Sequence, residues 1–202
     1  MSVRAAVLVS GGGTNLQALI DAAATGSLKS AEIALVLSNK GGAHALERAK
    51  NAGIEAVCCE REKGESRDDH ERRMLEILRA RNVDMLVLAG FLSILSPAFV
   101  RAFPDRIVNV HPSLIPAFCG KGFYGLKVHE AALACGVKLT GATVHLVNEI
   151  PDGGRILLQK AVEVLPGDTP EVLQRRVMEQ AEWVLLPRAV EMVARQIQEE
   201  LR

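Results

Sequence analysis

Asn109-Val110-His111-Pro112 puts a carboxamide and an imidazole two residues apart in a segment that reads as a strand. Alternate strand residues share a face, so Asn109 and His111 point at one space beyond the strand's carboxyl end. A carboxamide N–H can stabilise a developing oxyanion. An imidazole can supply charge or a proton near neutral pH. Asp152, in Pro151-Asp152-Gly153-Gly154, brings a carboxylate that would favour the imidazolium if it lies beside His111. Taken alone, Asn109 and His111 are a weak signal, because a single histidine more often satisfies a local hydrogen bond. Cys119 offers a rival chemistry, a Cys–His nucleophilic pair. Its neighbours Gly120-Lys121-Gly122 make a flexible basic loop, where thiols are often idle.

The other chemical feature is Gly11-Gly12-Gly13-Thr14-Asn15, between the first strand and the first helix. There, backbone N–H groups and the helix dipole can hold an anion, phosphate above all. The dinucleotide fingerprint fails: it needs a third glycine where Leu16 stands and an acidic residue where Asn39-Lys40 stand. No Walker-type G-x-x-x-x-G-K-S/T occurs. A phosphate ester is favoured over a dinucleotide, with a ligand-free tight turn as the bland alternative. Thr143 and His145 alternate on one strand face, which makes His145 a support for the site. His44 and His70 read as solvated, His129 as structural and Trp183 as packing. Residues 60–73 read as a solvated charged face from which Arg67 can reach an anion.

Apolar runs alternating with helical patterns must position these groups. Strands are expected at 5–10, 33–38, 54–59, 83–89 and 106–110, with 83–89 central. Helices are expected at 14–26 and 43–52, from Ser66, from Ser96-Pro97 and at 127–134. Residues 111–126 form a long glycine- and proline-rich loop. Segments 137–147 and 155–165 are β-rich, and a last helix from Pro170 to about 186 is broken or kinked by Pro187. The result is an α/β fold: a doubly wound, mostly parallel, Rossmann-like sheet in a single domain, 1–202. Its N-terminal half, about 1–100, would bind phosphate, and its second half, about 101–202, would carry the catalytic groups.

At 202 residues, with 49% hydrophobic content, the chain can bury a core of its own. Its 24 Lys+Arg balance 24 Asp+Glu, and aromatics are 3%. Both argue against a nucleic-acid surface. No apolar run is long enough to span a bilayer, and no signal peptide is legible. Cys58, Cys59, Cys119 and Cys135 form no C-x-x-C pattern. These features predict a cytoplasmic protein with neither nucleic-acid nor membrane partners; small-molecule substrates and a monomer or homodimer are the accompanying expectation, not read from composition.

Taken together, S-G-G-G-T-N-L-Q-A-L-I, V-L-A-G-F-L-S-I-L-S-P-A-F-V, R-I-V-N-V-H-P-S-L-I-P, G-A-T-V-H-L-V-N-E-I-P-D-G-G and P-G-D-T-P-E resemble the folate-dependent phosphoribosylglycinamide formyltransferases over nearly the whole chain. The resemblance implies formyl transfer from 10-formyltetrahydrofolate, as co-substrate and without a metal, to 5'-phosphoribosylglycinamide. It implies Asn109, His111 and Asp152 as the catalytic set, and Gly12, Gly13, Thr14 and Asn15 around the ribose phosphate. Leu92, Ser93, Ile94 and Leu95 would line an aliphatic pterin pocket, closed by Asn148, Glu149, Ile150 and Pro151, with Arg67 near the folate. Ser93 stands where the family often has Arg. The family's ribonucleotide-contacting Glu is shifted by one residue here, making Glu182 the match and Glu179 the alternative. The rivals are a 10-formyltetrahydrofolate hydrolase, a methionyl-tRNA formyltransferase and a non-catalytic folate- or phosphate-binding protein.

Overall fold

The computed structural model describes residues 2–201; Met1 and Arg202, the ends of the expected domain, lie outside them. Seven strands form one sheet in the order β3-β2-β1-β4-β5-β6-β7. They are β1 (Val3–Val9), β2 (Ala31–Ser38), β3 (Ala56–Cys58), β4 (Met85–Leu88), β5 (Ile107–His111), β6 (Leu139–Leu146) and β7 (Ile156–Glu163). The first five run parallel, β6 pairs antiparallel with β5, and β7 pairs antiparallel with β6. β4, as expected, is central, and all four of its residues are buried. A strand covered on both faces needs such a continuous apolar run.

Helices cover both faces. One core packs α1 (Thr14–Ala24), α2 (His44–Asn51) and α7 (Trp183–Glu200) on the sheet; the other packs α3 (Arg67–Arg79) and α4 (Pro97–Arg101) around the fully buried Phe99. The remaining helices are α5 (Leu126–Cys135) and α6 (Pro170–Val177). Sequence-legible caps set three starts. The side chains of Ser66, Ser96 and Thr169 accept the N–H groups of Asp69, Phe99 and Val172. Proline follows the cap in α4 and α6.

Three expectations need correction. β5 extends one residue further than expected, so His111 lies inside the strand. The last helical stretch is interrupted not at Pro187 but at Met178–Glu182, a single π-turn, and α7 runs through Pro187. A π-turn absorbs one extra residue without ending the helix. His70 is buried rather than solvated, because its Nε2 meets the Cys59 carbonyl at 2.7 Å.

The strand order reverses between β1 and β4, which places a crevice at the carboxyl ends of the central strands. Asn15 at the start of α1, Leu92 after β4, and Asn109 and His111 on β5 all line that crevice.

Candidate active site

Strand pairing builds the centre of the site. The β5–β6 register sets Asn109 opposite His145 and His111 opposite Thr143. His145 Nδ1 lies 2.9 Å from the Leu146 carbonyl and so must carry the proton there. Its Nε2 lies 3.1 Å from Asn109 Nδ2, which ties the carboxamide to the neighbouring strand. Thr143 works behind the site: its hydroxyl donates to Ser113 O and accepts from Ile115 N, fixing the loop after His111.

Asp152 enters from the β6–β7 connection with φ +54°, a left-handed conformation uncommon outside glycine. The chain returns here so closely that a Cβ on Gly154 would stand 1.8 Å from Leu146 O. The Asp152 carboxylate lies 3.6 Å from His111 Nδ1 and 3.5 Å from His145 Nε2, and accepts the Gly120 N–H at 2.8 Å. Burial pushes its pKa up, but the His145 hydrogen bond, the His111 charge and the Gly120 N–H outweigh that, and the net shift is downward. His111 Nε2 meets the Phe118 carbonyl at 2.9 Å, so both ring nitrogens face oxygen. Cys119 is turned elsewhere, with Sγ 3.3 Å from Pro116 O. Burial, then the Asp152 charge, raises its pKa, the reverse of what a thiolate nucleophile needs.

These groups line a cleft of about 550 Å³. Leu92, Ser93, Ile94, Leu95, Asn148, Glu149 and Pro151 line it with them. The 92–95 segment is fastened from three sides. Leu92 N–H donates to Ser10 Oγ, Asn39 Nδ2 donates to Ser93 Oγ, and the buried Glu71 accepts from both the N–H and the hydroxyl of Ser96.

On the expected folate side, Arg67 and Ile150 are absent from the lining. Arg67 donates to Ile94 O at 2.6 Å and to Glu71 at 3.1 Å, so its guanidinium braces the loop from behind. Ile150 is 65% exposed and outside the cleft lining. The wall is also less aliphatic than expected, since Phe91, Phe123 and Tyr124 contribute to it. Sequence reasoning missed these three; their adjacency to the Leu92 segment and to the glycine loop was the available signal.

At the other end, Asn15 and Glu182 meet. Asn15 Nδ2 donates to Glu182 Oε2 at 2.6 Å, both residues are buried, and both line the cleft. Asn15 Oδ1 has no partner among the described residues. Burial pushes the Glu182 carboxyl up to about 7, opposed by the Asn15 hydrogen bond. Glu179 lies outside this lining and pairs with Arg175 at 2.8 Å. Gly12, Gly13 and Thr14 are absent from this lining, and Thr14 lines a second cavity together with Gln17 and Arg48. Thr14 Oγ1 faces Met178 Sδ at 3.7 Å.

The family model described as formyl transferase matches residues 3–190. The chain belongs to the formyl transferase family. Among family members, the chloroplastic phosphoribosylglycinamide formyltransferase of Arabidopsis thaliana is 42% identical over 86% of this chain, which spans only 59% of that relative's length. The phosphoribosylglycinamide formyltransferase of Haemophilus influenzae is 41% identical over 87% of this chain and 80% of its own. The solved glycinamide ribonucleotide transformylase 1 of Symbiobacterium toebii superposes with a TM-score of 0.90 at 40% identity, covering 96% of this chain and 89% of that one. The seven-stranded, mostly parallel sheet is therefore the family's fold. Among the described residues no helix is long and apolar enough to cross a membrane.

Proposed function

We infer that this chain transfers the formyl group of 10-formyltetrahydrofolate to the amine of 5'-phosphoribosylglycinamide in purine biosynthesis. The observation that carries this reading is the convergence of Asn109, His111 and Asp152 on one cleft whose far wall is Asn15 and Glu182. The apolar wall around Leu92, Ile94 and Phe91 suits a flat heterocycle. The glycine turn ahead of α1 suits the ribonucleotide phosphate. Glu182, rather than Glu179, suits the ribose hydroxyls, because only Glu182 reaches the cleft. Arg67 acts on the folate side only through the loop it braces. At position 93 a serine engaged by Asn39 takes the place of a long cation, so any contact that cation would make to the folate is lost.

Transfer is direct. The substrate amine attacks the formyl carbon, and the Asn109 carboxamide with protonated His111 stabilises the tetrahedral oxyanion. Asp152, ionised over the neutral range, holds the imidazolium and helps pass the amine's proton to the departing folate nitrogen as the C–N bond breaks. Holding both substrates in one cleft supplies much of the acceleration. No metal and no covalent enzyme intermediate enter this scheme. We place the protein in the cytoplasm, as a monomer or homodimer acting on small molecules.

The test follows tetrahydrofolate release from 10-formyltetrahydrofolate with and without the ribonucleotide. Release that requires the ribonucleotide supports this reading. Release without it means a hydrolase, and none in either case means a binding protein.

A further inference from the structure

The glycine turn is built against α2 as much as at the end of β1. Gly11 O accepts the Ala45 N–H at 3.1 Å, and Gly12 O accepts the Arg48 Nε–H at 2.8 Å. In a trans peptide, the C=O of one residue and the N–H of the next point in opposite directions. With both carbonyls drawn to α2, the N–H groups of Gly12 and Gly13 face away from it. Gly13 has φ +73°, and a Cβ there would stand 2.6 Å from Ala45 Cβ, so α2 packs directly under the turn.

The start of α1 is prepared in the same sense. Its N-cap, Gly13, offers no side-chain cap, and its first turn holds no acidic residue. The first-turn N–H groups have no carbonyl within the helix to bond. Independently, Asn15 is only 8% exposed, lines the cleft and leaves Oδ1 unpartnered. As an acceptor, this buried atom costs stability unless a water or a ligand hydroxyl or amine beside the phosphate donates to it.

Of the two braces on the turn, the one from Ala45 is backbone. The one from Arg48 is a side chain, and it holds two places at once. Its NH1 donates to Gln17 Oε1 at 3.1 Å, and Gln17 Nε2 donates to Asp21 at 2.9 Å. The guanidinium fork therefore locks the Gly12 carbonyl to the first turns of α1, which the single ammonium of a lysine cannot reproduce. Its positive charge also stands behind the turn, on the side opposite the exposed N–H groups.

We propose that Arg48 is a positioning residue for the phosphate of the ribonucleotide: by holding the Gly12 carbonyl it aims the Gly13 N–H at the phosphate oxygens. This rests on the ribonucleotide reading above. Arg48 touches neither reacting atom, so its loss weakens recognition of the phosphate and leaves the chemistry intact.

The experiment compares Arg48→Ala and Arg48→Lys with the wild type, using glycinamide ribonucleotide and the phosphate-free glycinamide riboside. Losing a charge-assisted hydrogen bond raises the ribonucleotide KM about tenfold in Arg48→Ala and by less in Arg48→Lys. The kcat stays within about threefold, the folate KM is unchanged, and kcat/KM for the riboside is unchanged. A ribonucleotide KM within about twofold of wild type in both variants overturns the proposal, as does an equal loss with the riboside. If Arg48→Ala fails to fold, Arg48→Lys decides alone. Wild-type protein that releases no tetrahydrofolate defeats the functional reading instead. Calorimetry with ribose 5-phosphate then decides the role of Arg48, where Arg48→Ala must weaken binding about tenfold and equal binding overturns it.

Discussion

Replacing Glu182 by Gln should make the protein more stable at pH 8 while changing little at pH 4.5. In the folded chain the Glu182 side chain is buried against Asn15, and burial pushes its pKa from the ordinary 4.5 to about 7. The unfolded chain gives up this proton near 4.5, whereas the folded chain keeps it until about 7. Between those values the folded state binds more protons, so stability falls as pH rises through the window and levels off above it. At about 1.4 kcal/mol per pH unit, the gap amounts to about 3 kcal/mol. Gln has nearly the same shape, can still accept the Asn15 N–H, and never needs to be buried as an anion. Urea unfolding of both proteins at constant ionic strength from pH 4.5 to 8 measures the effect. Groups that titrate in both proteins cancel in the difference. The stability difference should grow by about 3 kcal/mol in favour of Glu182→Gln between pH 4.5 and 7.5, then stay flat. A difference that is flat throughout, or that grows toward low pH, refutes the account of Glu182 as a carboxyl forced to ionise in a buried place. Under the proposed function the same substitution raises the ribonucleotide KM and leaves the folate KM alone.

Other substitutions probe the catalytic centre, the turn and the core. Asp152→Asn should lower kcat by about 100-fold or more while the folded protein still binds both substrates, as expected of a general acid–base partner; near-wild-type turnover would remove Asp152 from the mechanism. Gly13→Ala should destabilise by at least about 1 kcal/mol, since it adds left-handed strain to a 2.6 Å approach on Ala45, and a lower urea midpoint at unchanged slope would register it. Phe99→Ala should cost about 3–5 kcal/mol, because Phe99 is fully buried among Leu86, Met74 and Ile107 in the second core. An unfolding midpoint equal to wild type would mean that the α3–α4 face is not the core it is taken to be.

What was legible in the sequence was local. The short apolar runs of β1 and β4, bounded by glycine, read as buried strands, and Ser66, Ser96-Pro97 and Thr169-Pro170 announce their helices because a cap is a contact over three residues. The shared face of Asn109 and His111 follows from strand periodicity alone. What was not legible depended on distant partners. The direction of Arg67 is set by the Ile94 carbonyl, 27 residues away. The burial of His70 depends on a carbonyl at the end of β3. The aromatic wall joins Phe91, past β4, to Phe123 and Tyr124 in a loop after β5, a meeting that no spacing rule contains.

Which of Glu179 and Glu182 stands beside Asn15 belongs to neither class, and the π-turn decides it. An α-helix advances by about 100° per residue, so one extra residue in an unbroken helix swings everything beyond it by that angle. Either α7 would then turn Leu185, Leu186, Ala189, Val190 and Val193 off the sheet, or the residues before it would turn off the cleft. Widening one turn at Met178–Glu182 takes up the extra residue locally. α7 keeps its buried stripe, Met178 and Glu182 both remain on the cleft, and Glu179 is left outside it to pair with Arg175. Helical periodicity across 170–186 carries no trace of this, because an i→i+5 turn has no composition of its own. The register of the carboxylate beside Asn15 is therefore set by packing on both sides of the turn; the family resemblance pointed to Glu182, and periodicity could not.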